Sequence, residues 1–90
     1  MRAASQNLTQ AHFNLAVFYS HGWGVDWNPF EAFKHFLSAA NDAMPEALFA
    51  VGIFYTENLV VPQDWNEAYR WVERAAKENY EQAKTVLQEL

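Results

Sequence analysis

The chain has 90 residues, 51% of them hydrophobic and 17% aromatic, with four Trp, four Tyr and seven Phe, and a net charge of −5. A chain this small buries only about 60–65% of its unfolded surface, so it needs a dense core; its aromatic content supplies one and excludes a disordered or low-complexity chain. The acidic balance lacks a Lys/Arg cluster and argues against nucleic acid as a partner, and the absence of cysteine removes disulfides and thiolate chemistry.

Residues 1–6 read as a loose terminus or a frayed first turn. A first helix, α1, is predicted to begin between Asn7 and Gln10 and to end at Ser20 or His21, where Gly22-Trp23-Gly24 supplies the left-handed closure. Asn28-Pro29-Phe30-Glu31 then reads as a helix start, with Asn as N-cap, Pro at N1 and Glu at N3, opening α2 over residues 29–43. Pro45-Glu46 opens α3, predicted to run to Glu57 and to break at Asn58, a residue that tolerates the left-handed conformation. Asp64-Trp65-Asn66-Glu67 repeats the cap pattern and opens α4, which runs to Glu78 and stops at Asn79. Glu81 to Leu90 forms α5.

Ala11–Tyr19 recurs at Ala47–Tyr55, an offset of 36 residues. The register holds without a gap at Ala11/Ala47, Phe13/Phe49, Phe18/Phe54, Tyr19/Tyr55, Val25/Val61, Glu31/Glu67, Ala32/Ala68, Ala39/Ala75 and Ala40/Ala76. A self-match at this period marks a repeat architecture. Repeat 1 spans residues 11–46 and repeat 2 residues 47–82, with 83–90 as a capping helix. Ala16/Gly52 and Ala39/Ala75 are the places where helix axes come close, with aromatics filling the space around them.

A 36-residue helix-turn-helix unit with Ala-x-x-x-Leu-small-x-x-Tyr on its first helix and Ala-Ala near the end of its second resembles the Sel1-like repeat family, relatives of the tetratricopeptide repeats. Gly22-Trp23-Gly24-Val25 matches the family's Gly-x-Gly-Val loop, and Asp64, Ala68, Trp71 and Ala75-Ala76 match its second helix. The chain departs from the pattern at Asn58-Leu59-Val60, at Ala43 in place of the inter-repeat Gly, and at His35, where repeat 2 has Trp71. The resemblance implies an all-α, right-handed α/α solenoid of five helices, with the first helix of each repeat lining the concave side. It also implies a role in protein–protein assembly with no chemistry of its own.

α1 and α3 each carry two apolar stripes. Ala11, Leu15, Phe18 and Tyr19, with Ala47, Val51, Phe54 and Tyr55, are expected to pack on the second helix of their own repeat. Phe13 and Val17, with Phe49 and Ile53, either seal α1 against α3 or form a shallow groove for a partner's helix or extended segment. The candidate partner-binding residues are therefore Phe13, Asn14, Val17, His21, Phe49, Ile53 and Glu57. α5 is more polar at equivalent positions (Gln82, Thr85, Glu89) and reads as a solubilising cap. No comparable polar cap precedes α1: either its outer face is a homodimer contact, or the chain is cut from a longer array.

No catalytic, cofactor or metal residues are expected. His12, His21 and His35 lack metal-ligand spacing. Glu31 and Glu67 are explained by capping, and Glu73 with Lys77 reads as an i,i+4 surface pair. Trp23, Trp27 and Trp65 either plug the space between adjacent loops or offer an aromatic edge to a partner. The reading is a non-enzymatic adaptor or scaffold for a protein or peptide. Its rivals are a hydrolase acting on cell-wall or β-lactam compounds, as proposed for cysteine-rich relatives, and a purely structural or self-associating module. No membrane insertion is expected, since no apolar run reaches the roughly 20 residues a span needs. A cysteine-free chain without a signal-peptide core leans toward the cytoplasm.

Overall fold

The computed structural model describes residues 2–89, and side chains from Leu8 onward. It holds five helices: α1 (Arg2–His21), α2 (Pro29–Asn41), α3 (Pro45–Phe54), α4 (Trp65–Lys77) and α5 (Glu81–Glu89). Each packs chiefly on its neighbours in sequence. The backbone is helical from Arg2, so the expectation of a loose segment holds for none of residues 2–6; Met1 and Leu90 lie outside the described residues.

The second helix of each repeat starts as the sequence predicts, with one difference in wiring. The Asn28 side chain accepts from the Phe30 and Glu31 amides, and Asp64 accepts from Asn66 and Glu67, all at 3.0–3.1 Å. The reciprocal half of a capping box is not used. The Asn28 amide donates instead to the Tyr19 carbonyl (3.0 Å), and the Asp64 amide to that of Tyr55 (2.9 Å). Glu31 and Glu67 are thereby released to pair with Lys34 and Arg70 one turn on. Glu73 and Lys77 are not among the ion pairs of the described residues, which are formed at i,i+3 and i,i+4 from Glu31, Glu67 and Glu81.

The same helices end alike. Ala43 (φ 62°) and Asn79 (φ 67°) occupy equivalent left-handed positions. Ala43 N–H donates to Ala40 O and Met44 N–H to Ala39 O, while Asn79 N–H and Tyr80 N–H repeat the pattern on Ala76 and Ala75. This is the Schellman closure, which satisfies carbonyls that a helix end leaves bare. Asn79 matches its expected role; Asn58 does not. α3 ends at Phe54 through a tight turn in which Tyr55, Thr56 and Glu57 donate three residues back. Asn58 then uses its side-chain oxygen to accept from the Gln63 amide rather than adopting a positive φ.

Eight of the twelve buried hydrophobic residues are alanines, which identifies the core as close helix contact filled at its edges by larger groups. Phe36, Leu48, Val51 and Val72 complete it. The tightest point is Gly52, where an added Cβ would lie 2.6 Å from Val72 Cγ2 and 3.2 Å from the Ala68 carbonyl oxygen.

The two stripes of each first helix are assigned differently from expectation. Packing on the helix of the same repeat runs through Ala16 and Gly52, with Phe13 edge-on to Phe36 (5.6 Å between ring centres). The stripe expected there divides: Tyr19 does meet α2 of its own repeat, stacking on His35 at 6.0 Å between ring centres, whereas in repeat 2 the stripe faces the preceding second helix. Phe54 packs on Phe33 (5.2 Å) and Phe36 (6.0 Å) of α2, and Tyr55 also reaches Phe33. The physical reason is size: only the small residues allow α1 onto α2 and α3 onto α4 at short range, which swings the bulky stripe toward the previous repeat.

Two substitutions probe this frame. Ala43→Gly removes the Cβ penalty of a left-handed residue and should raise the unfolding free energy by about 1 kcal/mol in urea titration. Gly52→Ala should lower it by about 1 kcal/mol despite Ala's better helix propensity, because Val72 is a stiff, fully buried neighbour.

Candidate partner-binding face

The seven candidate residues all lie on α1 or α3, or in the turn after α3. Phe13, Val17, Phe49 and Ile53 are half-buried, and Asn14, His21 and Glu57 are exposed. The apolar four are neither sealed nor free. Phe13 leans on Phe36, and Phe49 on Tyr80 at 5.5 Å between ring centres.

Phe49 also forms the floor of a shallow depression of about 370 Å³, walled by Glu81, Gln82, Thr85 and Val86 of α5. A smaller one of about 220 Å³ lies among Thr9, Gln10, Asp42 and Met44, where the Thr9 hydroxyl donates to the Asp42 carboxylate at the end of α2. The contribution of α5 and Tyr80 is absent from the sequence-derived set. The 36-residue offset carries the signal, since it places Thr85 at the position of Phe13 and Phe49. Tyr80 donates to Gln82 Oε1 at 2.6 Å, and burial, with the nearby Glu46 carboxylate, pushes its phenol above the ordinary range.

His21 is committed differently from the other six residues. Its Nδ1 lies 2.9 Å from the Val17 carbonyl, which makes it a C-terminal cap of α1, and its ring stacks on Trp23 at 4.3 Å. Trp23, Trp27 and Trp65 are all exposed, so they do not plug the space between loops. Each leaves an aromatic edge open at the surface.

His12 and His35 meet between α1 and α2, with their Nδ1 atoms 3.1 Å apart and their rings stacked. One ring must donate and the other accept, so the pair is satisfied when neutral. Tyr19 stacks on the other side of His35, and Glu31 Oε1 sits 3.7 Å from His35 Nε2. Burial first, then His12, holds the His35 imidazole below its ordinary pKa, with Glu31 opposing and Lys34 adding to the depression. Ser20 donates its hydroxyl proton to the Val17 carbonyl. No group of three or more His, Cys, Asp or Glu side chains that could hold a metal occurs among the described residues. Nor is any helix there long and apolar enough to cross a membrane.

The Sel1 repeat profile matches residues 9–43 and 45–80. The chain belongs to the Sel1 repeat family. It superposes on a Sel1 repeat protein from Oxalobacter formigenes with a TM-score of 0.89 at 32% identity, covering 98% of this chain and 66% of that one. It also superposes on c5321, a protective antigen of uropathogenic Escherichia coli with the same type of fold, at TM-score 0.81 and 30% identity over 91% of this chain and 18% of that one. An uncharacterised protein of Neisseria meningitidis serogroup B is 28% identical over 89 residues. The chain spans 18% of that relative's length. The fold is thus the all-α helical-repeat solenoid of this family. Sel1 repeats are commonly protein-interaction modules and generally non-catalytic.

The histidine pair gives a pH dependence with a definite sign. A folded-state pKa below the unfolded value means that the unfolded chain takes up the proton first. The contribution of His35 to stability is complete above its unfolded pKa and is lost as pH falls through the folded one. Thermal unfolding should therefore shift to lower temperature between pH 7 and pH 5. The double variant His12→Leu/His35→Trp, which copies Leu48 and Trp71 of repeat 2, should flatten that shift.

Proposed function

We propose that this Sel1 repeat chain is a non-enzymatic adaptor that holds a protein or peptide segment along the face formed by α1, α3 and α5. Phe13, Asn14, Val17, Phe49, Ile53 and Glu57 contact the segment, and His21 fixes the end of α1 beside it. The observation that carries this reading is the depression over Phe49, an apolar floor with Glu81 at its edge. Such a site takes an aliphatic or aromatic side chain as an anchor. The Glu81 carboxylate at its rim favours a basic residue next to that anchor, in keeping with the net charge of −5.

Repeat 1 contributes in a different way from repeat 2. Phe13 and Val17 extend the apolar track, but Gln10 and Asn14, joined by a 3.0 Å side-chain hydrogen bond, replace the carboxylate and alanine found at Glu46 and Ala50. The partner segment is thus read as an apolar anchor with a basic flank over α3–α5 and a neutral polar stretch over α1.

Selection of displayed random peptides on the immobilised chain, followed by calorimetric titration, tests the reading. Selected peptides should combine a large apolar residue with Lys or Arg. Phe49→Glu should weaken them by roughly tenfold or more, equivalent to about 1.4 kcal/mol. Glu57→Lys, at an exposed position, should weaken them several-fold and reduce the dependence on salt. Peptides that bind both variants as tightly as the parent, with far-UV circular dichroism unchanged, would rule this face out.

A further inference from the structure

The exposed side of α1 is the strongest feature that the adaptor reading leaves unused. Leu8, Leu15 and Phe18 are 65%, 40% and 43% exposed, and Ala11 between them is open. Their equivalents 36 residues on are not: Ala47 and Val51 are fully buried, Met44 and Phe54 partly so. The difference has one cause. α3 has α2 lying across this stripe, and among the described residues α1 has no helix there. The internal interface thus shows what the surface is shaped to accept, an apolar helix face.

We propose that this face binds the α1 of a second copy, giving a two-fold symmetric dimer. Three observations select a second copy over other helices. First, Leu8, Ala11, Leu15 and Phe18 are spaced by three, four and three residues, and the sequence continues the spacing upstream at Ala4 and Met1. That is the seam of a two-helix pair, and in an antiparallel register it sets Leu8 against Phe18 and Ala11 against Leu15, small against large. Second, all 11 Asp and Glu residues lie outside α1, the first being Asp26. In a chain of net charge −5, α1 is therefore where two copies meet with least repulsion. Third, the last described helix offers no matching seat. The positions of His12/Leu48 and Ala16/Gly52 become Lys84 and Gln88 on α5. A two-fold contact of α1 on α1 uses the same surface on both copies, so it closes at two rather than growing into a filament.

The contact is small. A 20-residue helix is about 30 Å long, and a single pair of helix faces falls in the weak class of interfaces, under roughly 1,200 Å² in total. Dimerisation is expected in the micromolar range. It uses a different side of α1 from the adaptor face, so either can fail without the other.

Light scattering on the intact chain across a concentration series tests the pairing. The mass should rise from 10.4 kDa toward twice that value. Leu15→Glu, at an exposed position, should hold it at the monomer value with circular dichroism unchanged. Leu59→Glu, at an exposed apolar site of repeat 2, should leave the dimer intact. A parent chain that stays monomeric to its solubility limit overturns the inference and leaves the face to a helix of another kind. A dimer that survives Leu15→Glu overturns it as well.

Discussion

Short-range packing of helices through alanine and glycine is the constraint on which the rest of this structure depends. A single large side chain at Ala16, Ala39, Ala75 or Gly52 would separate two axes and unseat everything docked on them. The aromatic residues are placed by that constraint rather than placing it. Phe13, Phe33, Phe36 and Phe54 occupy the margins left once the alanine contacts have closed, meeting edge-to-face or tilted at 5.2–6.0 Å. This division suits a small chain, because alanine loses no rotamer entropy on burial and the aromatics each bury a large area.

Much of the fold is legible in the sequence because local chemistry and repetition agree. The 36-residue self-match, the caps at Asn28 and Asp64, and the stop at Asn79 each rest on one local rule, and each rule is obeyed twice or confirmed by its copy. The errors arise where the outcome depends on a partner element. Both stripes of α1 and α3 are visible as periodicity, yet periodicity does not say which stripe meets which helix. Asn58 has the right propensity for a left-handed stop, but its side chain is used by Gln63. Glu31 and Glu67 stand at capping-box positions, but the amides they would accept from are already bound to Tyr19 and Tyr55.

The candidate face follows the same logic. Residue types and spacing bring Phe13, Val17, Phe49 and Ile53 forward as a second apolar stripe, and all four are half-buried as a groove lining would be. What the sequence does not convey is that α5, read only as a polar cap, also walls the depression over Phe49. Its Thr85 and Val86 are unremarkable as letters and become informative only beside Phe49. The histidines show the opposite effect. Nothing in the spacing of His12 and His35 pairs them, and their meeting is a product of the α1–α2 approach alone.

The cap wiring also bears on how a chain of such repeats can vary. In each repeat one residue both caps the second helix with its side chain and ties its amide to the last turn of the first. The loop between them is therefore closed into a ring of fixed circumference, from Tyr19 to Asn28 and from Tyr55 to Asp64, a separation of nine residues in both copies. An insertion there would break the tie and leave the cap's amide without its partner, so length should vary little at this bend. The turn between repeats is closed by the same backbone hydrogen bonds in both copies, through a residue that is Ala in one and Asn in the other. Substitutions are admitted there, and a gradual change in the pitch of the solenoid can enter at the joints between repeats while each repeat stays rigid.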